Sequence, residues 1–151
     1  MDKTAFHHYL VSLFPVLFLY AHNMGQGEVR FADAILPAII VLSLAFILSI
    51  ACRFVTKNSH KAAILTTVFM FFVLSYGHAY SLINRYIYIP HRFLLALSFI
   101  AVSLAVRFII KTKKPLTTVT AWLNMLSAAT IIVSVANIAV NSARLYVREN
   151  S

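Results

Sequence analysis

The stretch Ala62–Ile83, AAILTTVFMFFVLSYGHAYSLI, decides the fold. It carries no Asp, Glu, Lys or Arg over 22 residues. That is long enough to cross a bilayer core of about 30 Å as a helix. Its first two thirds are hydrocarbon. Its last third turns polar and aromatic, with Ser75, Tyr76, Gly77, His78 and Tyr80.

Four similar runs flank it, two on each side. The reading is an all-α polytopic membrane protein, one transmembrane domain over 1–151. Its five helices are expected at about 6–24, 34–55, 62–83, 93–110 and 116–143. Pro15 lies in the middle of the first run, where the Val11 carbonyl loses its helical partner and a kink is expected. Asp33 is the expected N-cap of the second helix, which puts Pro37 in the first turn, where no hydrogen bond is lost. Asn58 or Ser59 can cap the third. Arg107, in the last turn of the fourth, can snorkel to the head groups.

Composition excludes the soluble classes. The 151 residues are 61% hydrophobic and 11% charged, and the mean hydropathy is +0.84. A soluble domain carries about a quarter charged residues. The longest stretch between apolar runs, roughly His22 to Asp33, is too short for a folded aqueous domain of about 40 residues. The net charge of +9 sits at the ends of apolar runs, which speaks for topology and anionic lipid rather than nucleic acid. The single Cys52 has no internal disulfide partner and reads as a small apolar residue.

An odd number of crossings puts the termini on opposite sides. One side collects eight basic residues: Lys3, Arg53, Lys57, Lys61, Arg107, Lys111, Lys113 and Lys114. The other collects five: Arg30, Arg85, Arg92, Arg144 and Arg148. Positive charge favours the cytoplasm, so the expected location is the inner cell membrane, N-terminus cytoplasmic and C-terminus extracytoplasmic. Tyr20, Tyr76, Tyr80, Tyr86 and Tyr88 fall on the outer side, as an aromatic belt does.

That orientation gathers His22, Asn23, Glu28, Arg30, Asp33, His78, Tyr80, Arg85, His91 and Arg92 on the outer rim. His22, Asn23, His78, Tyr80, Arg85 and Arg92 form the candidate head-group site, since arginines bind phosphate through two parallel hydrogen bonds. The expectation is that His22 and His78 approach each other, and that Gly77 lets a neighbour come close. The competing reading is an interfacial belt of snorkelling cations. No metal site is expected, since His spacing on the helices is irregular. Haem is not expected either, because His7, His8 and His60 belong to the opposite rim. No cofactor follows.

The fifth run carries a polar stripe. Asn124, Ser127, Ser134, Asn137 and Asn141 recur with Thr120 at steps of three, four or seven, which is one helix face. Small and amide residues on one face are what membrane helices use to pack closely. A helix-packing stripe is expected, and a polar transport path is the alternative. The only acids are Asp2, Glu28, Asp33 and Glu149, none in mid-run. No GxSxG, HExxH, P-loop or paired intramembrane Asp is present. No catalytic residue can be named, and enzymatic activity is not expected.

The five-helix layout, with PVLFLYAHNMGQ (Pro15–Gln26) and FFVLSYGHAY (Phe71–Tyr80), resembles the membrane module of bacterial phosphoethanolamine transferases and lipoteichoic-acid synthases. In those families the module precedes a sulfatase-like extracytoplasmic domain. That domain has no counterpart in this sequence, so none of its catalytic residues carries over. The resemblance implies a non-catalytic bacterial cell-envelope module that anchors or presents a lipid-linked substrate. Its expected partners are membrane lipids and a partner protein or a second copy, with no nucleic acid. A small transporter or channel subunit, and an interfacial lipid-modifying enzyme using His22 and His78, are the alternatives.

Overall fold

The computed structural model describes residues 4–25 and 29–149. The chain is a bundle of five helices: α1 (His7–Gly25), α2 (Phe31–Thr56), α3 (Ser59–Tyr86), α4 (His91–Lys111) and α5 (Thr117–Glu149). Among the described residues, α2, α3, α4 and the stretch Thr117–Val147 of α5 are long and apolar enough to cross a membrane. α1 is not in that set. It is the shortest, at 19 residues, and His7, His8, His22 and Asn23 dilute its apolar run.

Sequence order explains most boundaries, with two corrections. Asp33 is not the N-cap of α2. The helix starts at Phe31, three residues earlier than expected, and the Asp33 carboxylate sits in its first turn, accepting the Arg30 backbone N–H at 2.7 Å. Pro37 therefore falls in the second turn, where its missing N–H deprives the Asp33 carbonyl of its helical partner. The N-cap of α3 is Asn58, whose Oδ1 accepts the Lys61 N–H at 3.0 Å. Between α2 and α3, Lys57 adopts the left-handed conformation (φ 51°) that lets a helix stop and reverse within two residues. α3 and α5 both outrun expectation, to Tyr86 and Glu149.

α1 packs most extensively against α5 and also contacts α2 and α3, while α3 touches every other helix. α4 packs mainly on α3. Side-chain bonds fix the direction of the main pair: Asn124 meets the start of α1 and Asn141 meets Ala21 near its end. α1 and α5 therefore run parallel. One end of the bundle, the lysine rim, holds the starts of α1, α3 and α5 and the Lys57 and Lys111–Lys114 turns. The opposite end, the tyrosine rim, holds Tyr20, Tyr76, Tyr80, Tyr86 and Tyr88.

Packing is uneven along the axis. Cys52, Ala62, Ile64, Leu65 and Ile109 form one buried cluster near the lysine rim, and Val41, Ala45 and Met70 form a second at mid-height. Small side chains allow this: Ala45 is fully buried, and Ala62 and Ala63 are each 1% exposed. Between helices in lipid, close van der Waals approach replaces the hydrophobic effect as the cohesive force. Beyond Met70, α3 becomes half-exposed or exposed on every side. Large apolar side chains such as Phe46, Leu97 and Ile132 point outward, as lipid-facing residues do.

Candidate functional site: a polar knot and two furrows

At the lysine rim, α5 caps α1. Asn124 Oδ1 accepts the backbone N–H groups of Phe6 (3.2 Å) and His7 (3.0 Å), and its Nδ2 donates to the Thr4 carbonyl at 2.9 Å. These three bonds fix the orientation of the amide. His7 Nδ1 lies 3.1 Å from the same Oδ1, an acceptor, so Nδ1 donates to it. His7 is fully buried and His8 is 3% exposed. The His8 ring packs on Tyr9 at 4.0 Å and edge-on to His7 at 5.8 Å. Neither nitrogen of His8 nor His7 Nε2 finds a hydrogen-bond partner among the described residues. Beside them, His60 Nδ1 meets the buried Thr120 hydroxyl at 3.1 Å. Lys61 Nζ donates to the Ile110 and Thr112 carbonyls, both at 2.8 Å, and so satisfies the C-terminal end of α4. No group of three His, Cys, Asp or Glu side chains is arranged to hold a metal ion among the described residues.

Sequence reading gave these histidines no role beyond their rim. The available signal was parity: α1, α3 and α5 all begin at the same rim, so His7, His60 and Asn124 share one depth. What sequence could not give was the lateral contact.

The stripe on α5 divides. Thr120, Asn124, Ser127 and Ser134 are buried. Asn141 Nδ2 donates to the Ala21 carbonyl at 2.7 Å. Asn137, in contrast, is exposed and lines a crevice of about 150 Å³ with His22, Phe18 and Asn141.

The expected head-group residues are also divided. His22 lies in that α1–α5 crevice. His78 lies in a different concavity, a furrow of about 530 Å³ between α1, α3 and α5. Phe18 borders both. Asn23 is half-buried, and Arg85 and Arg92 are exposed, with the Arg92 guanidinium 5.4 Å from the Phe93 ring centre. Tyr80 stacks on His91 at 4.6 Å. Tyr76 Oη lies 2.8 Å from His91 Nδ1 and 3.3 Å from its carbonyl oxygen. This Tyr76–Tyr80–His91 stack ties α3 to the start of α4, a pairing that the sequence did not announce. Gly77 faces open space: a Cβ built there meets nothing within 4 Å. Its expected role in close approach of a neighbouring helix is not what this fold uses it for.

The first furrow is lined by Val11, Phe14, Pro15, Phe18 and Leu19 of α1, by Thr67, Phe71, Leu74, Ser75 and His78 of α3, and by Leu123, Leu126, Ser127 and Thr130 of α5. Its hydroxyls are largely turned away. Thr67 Oγ1 donates to Ala63, Ser127 Oγ to Leu123 and Thr130 Oγ1 to Ser127, all backbone carbonyls of their own helices. What remains is a hydrocarbon slot with His78 at one end. A second furrow of about 490 Å³ lies between α3 and α4. Both volumes fall in the range of about 300–1,000 Å³ common for ligand sites. Compared with known protein families, curated proteins and solved structures, this chain matches none.

Proposed function

We propose that the protein is a non-catalytic membrane module that holds the hydrocarbon chain of a lipid-linked substrate and presents its polar end at the tyrosine rim, for extracytoplasmic envelope chemistry carried out by a partner. The observation that carries this reading is the α1–α3–α5 furrow. It follows α3 from Thr67 to His78, eleven residues or about 16 Å of helix, roughly half the hydrocarbon thickness. Its apolar lining suits a chain, and His78 stands where a head group would leave the core.

In this reading α1 crosses the membrane too. Its parallel pairing with α5 through Asn124 and Asn141 supports that depth, and its shorter apolar run is tolerable because it lies against α2, α3 and α5. The lysine rim then faces the cytoplasm. Cysteine placed at Lys113 should resist an impermeant thiol reagent in intact cells, and cysteine at Tyr88 should react. The reverse pattern sinks the orientation.

A lipid with a photoreactive group in mid-chain tests the furrow. In vesicles holding the purified chain, cross-links should concentrate on Phe14, Leu74 and Leu126. The apolar outer face of α2 at Ile39, Ile40 and Ile47 serves as the reference for ordinary lipid contact. Equal labelling of both surfaces defeats the proposal.

A further inference from the structure

The two furrows are not independent. Both are lined by Thr67, Phe71 and Ser75, which stand at i, i+4 and i+8 on α3 and so form one ridge along its axis. Phe71 is 62% exposed at its crest. On one side the ridge faces α1 and α5, and on the other it faces Ser98, Ala101, Val102 and Ala105 of α4. Near the lysine rim, Ile109 of α4 belongs to the buried cluster against which Leu116 and Leu123 also pack. The ridge stands between two furrows of nearly equal volume, about 530 and 490 Å³.

We propose that its occupant is a two-chain anionic phospholipid straddling α3, with one chain in each furrow and the phosphate above the ridge. This deepens the reading of the first furrow as a lipid-chain site and rests on it. Two slots flanking one ridge match two chains joined at one glycerol, whereas a single-chain lipid would leave one slot to bulk lipid. The small residues Ser98, Ala101 and Ala105 leave the α4 side wide enough for a chain. Charge sets the polar end. On the tyrosine-rim side of the ridge stand His78, one turn beyond Ser75 on α3, and the exposed Arg85 and Arg92 at the end of α3 and the start of α4. Exposed arginine guanidinium groups favour phosphate, which they bind through two parallel hydrogen bonds.

The test is thermal stability and native mass spectrometry of the full chain in mild detergent. The probes are phosphatidylglycerol, lysophosphatidylglycerol with the same acyl chain, phosphatidylcholine and a polyprenyl phosphate. Phosphatidylglycerol should bind about tenfold more tightly than the lyso form and than phosphatidylcholine, a difference of ~1.4 kcal/mol. Ala101→Phe, which fills the α4 slot, should remove the two-chain advantage and leave lyso binding intact; Ala101→Leu should act in the same direction and guards against misfolding. Arg92→Gln should narrow the preference over phosphatidylcholine. Equal binding of phosphatidylglycerol and its lyso form, with Ala101→Phe inert and Thr130→Phe harmful, overturns the two-chain proposal and leaves the single furrow standing. Tighter binding of the polyprenyl phosphate does the same. If Thr130→Phe and Ala101→Phe are both without effect on every lipid, both readings fall. If Ala101→Phe converts a dimer to a monomer, the α4 slot is an interface between copies and the proposal falls.

Discussion

The two ends of the bundle are built from the same helices and differ in almost everything else. At the lysine rim α3 presents Ala62, Ala63 and Thr66, all at most 1% exposed, and α1, α2, α4 and α5 close around it. Toward the tyrosine rim α3 presents Phe71, Phe72, Tyr76 and Tyr80, and the neighbours stand off to leave two furrows. Small side chains let backbones approach and large ones hold them apart. The polar groups differ in number rather than in kind. At the closed end, Asn124, His60 and Lys61 bond between elements, while Ser12 and Thr66 bond within their own helices. At the open end, Asn84 and Ser142 bond within their own helices, and Tyr76 and Asn141 reach neighbouring helices. The difference teaches that side-chain size along one helix can decide where a membrane bundle is a scaffold and where it is a site.

The largest test of this contrast is Asn124→Leu. It strands the N–H groups of Phe6 and His7, the Thr4 carbonyl and His7 Nδ1. Each buried unsatisfied group costs about 1–3 kcal/mol in water-soluble proteins and about 0.6 in a membrane bundle. The expected loss is about 2–4 kcal/mol, measured by unfolding in mixed micelles. A loss equal to that of Asn141→Leu, which removes the single bond to Ala21, would show that the lysine rim is not the tighter end.

Ala45→Phe should cost about 1–3 kcal/mol, since Ala45 is fully buried against Met70 and overpacking displaces neighbours. Leu97→Phe, exposed on α4, should cost under about 0.5. If the two variants melt together, the mid-height cluster is looser than described.

At the open end, Gly77→Ala should raise stability by about 0.5–1 kcal/mol. Glycine inside a helix is that much worse than alanine, and the added Cβ meets nothing within 4 Å. A fall instead, found with lipid present and absent without it, would place a head group against Gly77. The smallest effect belongs to Asn137→Leu. Membership of the α5 stripe alone would make it costly, but Asn137 is exposed, so the change should stay within about 0.5 kcal/mol. A cost above that would draw Asn137 and its crevice into the packed core.

The candidate site was legible only in pieces. His78, Ser75 and Tyr80 stand out in the sequence because polar residues are expensive near an apolar run; Ser75 and His78 line the furrow, and Tyr80 lies at the tyrosine rim. The furrow itself had no sequence signal, since its walls are ordinary Phe, Leu and Val of three separate helices. His22 and His78 have comparable depth, and depth was all the sequence could supply. They stand in different concavities because angle around the helix and choice of neighbour are fixed by packing.

By itself, then, the sequence determined an all-helical chain with membrane-length apolar runs, their order, and a cap for α3 at Asn58 or Ser59, of which the structure uses Asn58. These are consequences of composition and local chemistry. It also determined which polar residues share an end, since alternating helix direction and spacing along each run suffice for that. The tertiary structure alone decided that Asn124 caps α1, that His7 and His8 are buried, that Tyr76 and Tyr80 engage His91, and that Thr67, Phe71 and Ser75 divide two furrows. The physical reason is that lipid solvates every apolar face equally. Periodicity can show that a helix has a lipid-compatible face, but which faces meet depends on shape and on a few interhelical hydrogen bonds, and those exist only once the helices have met.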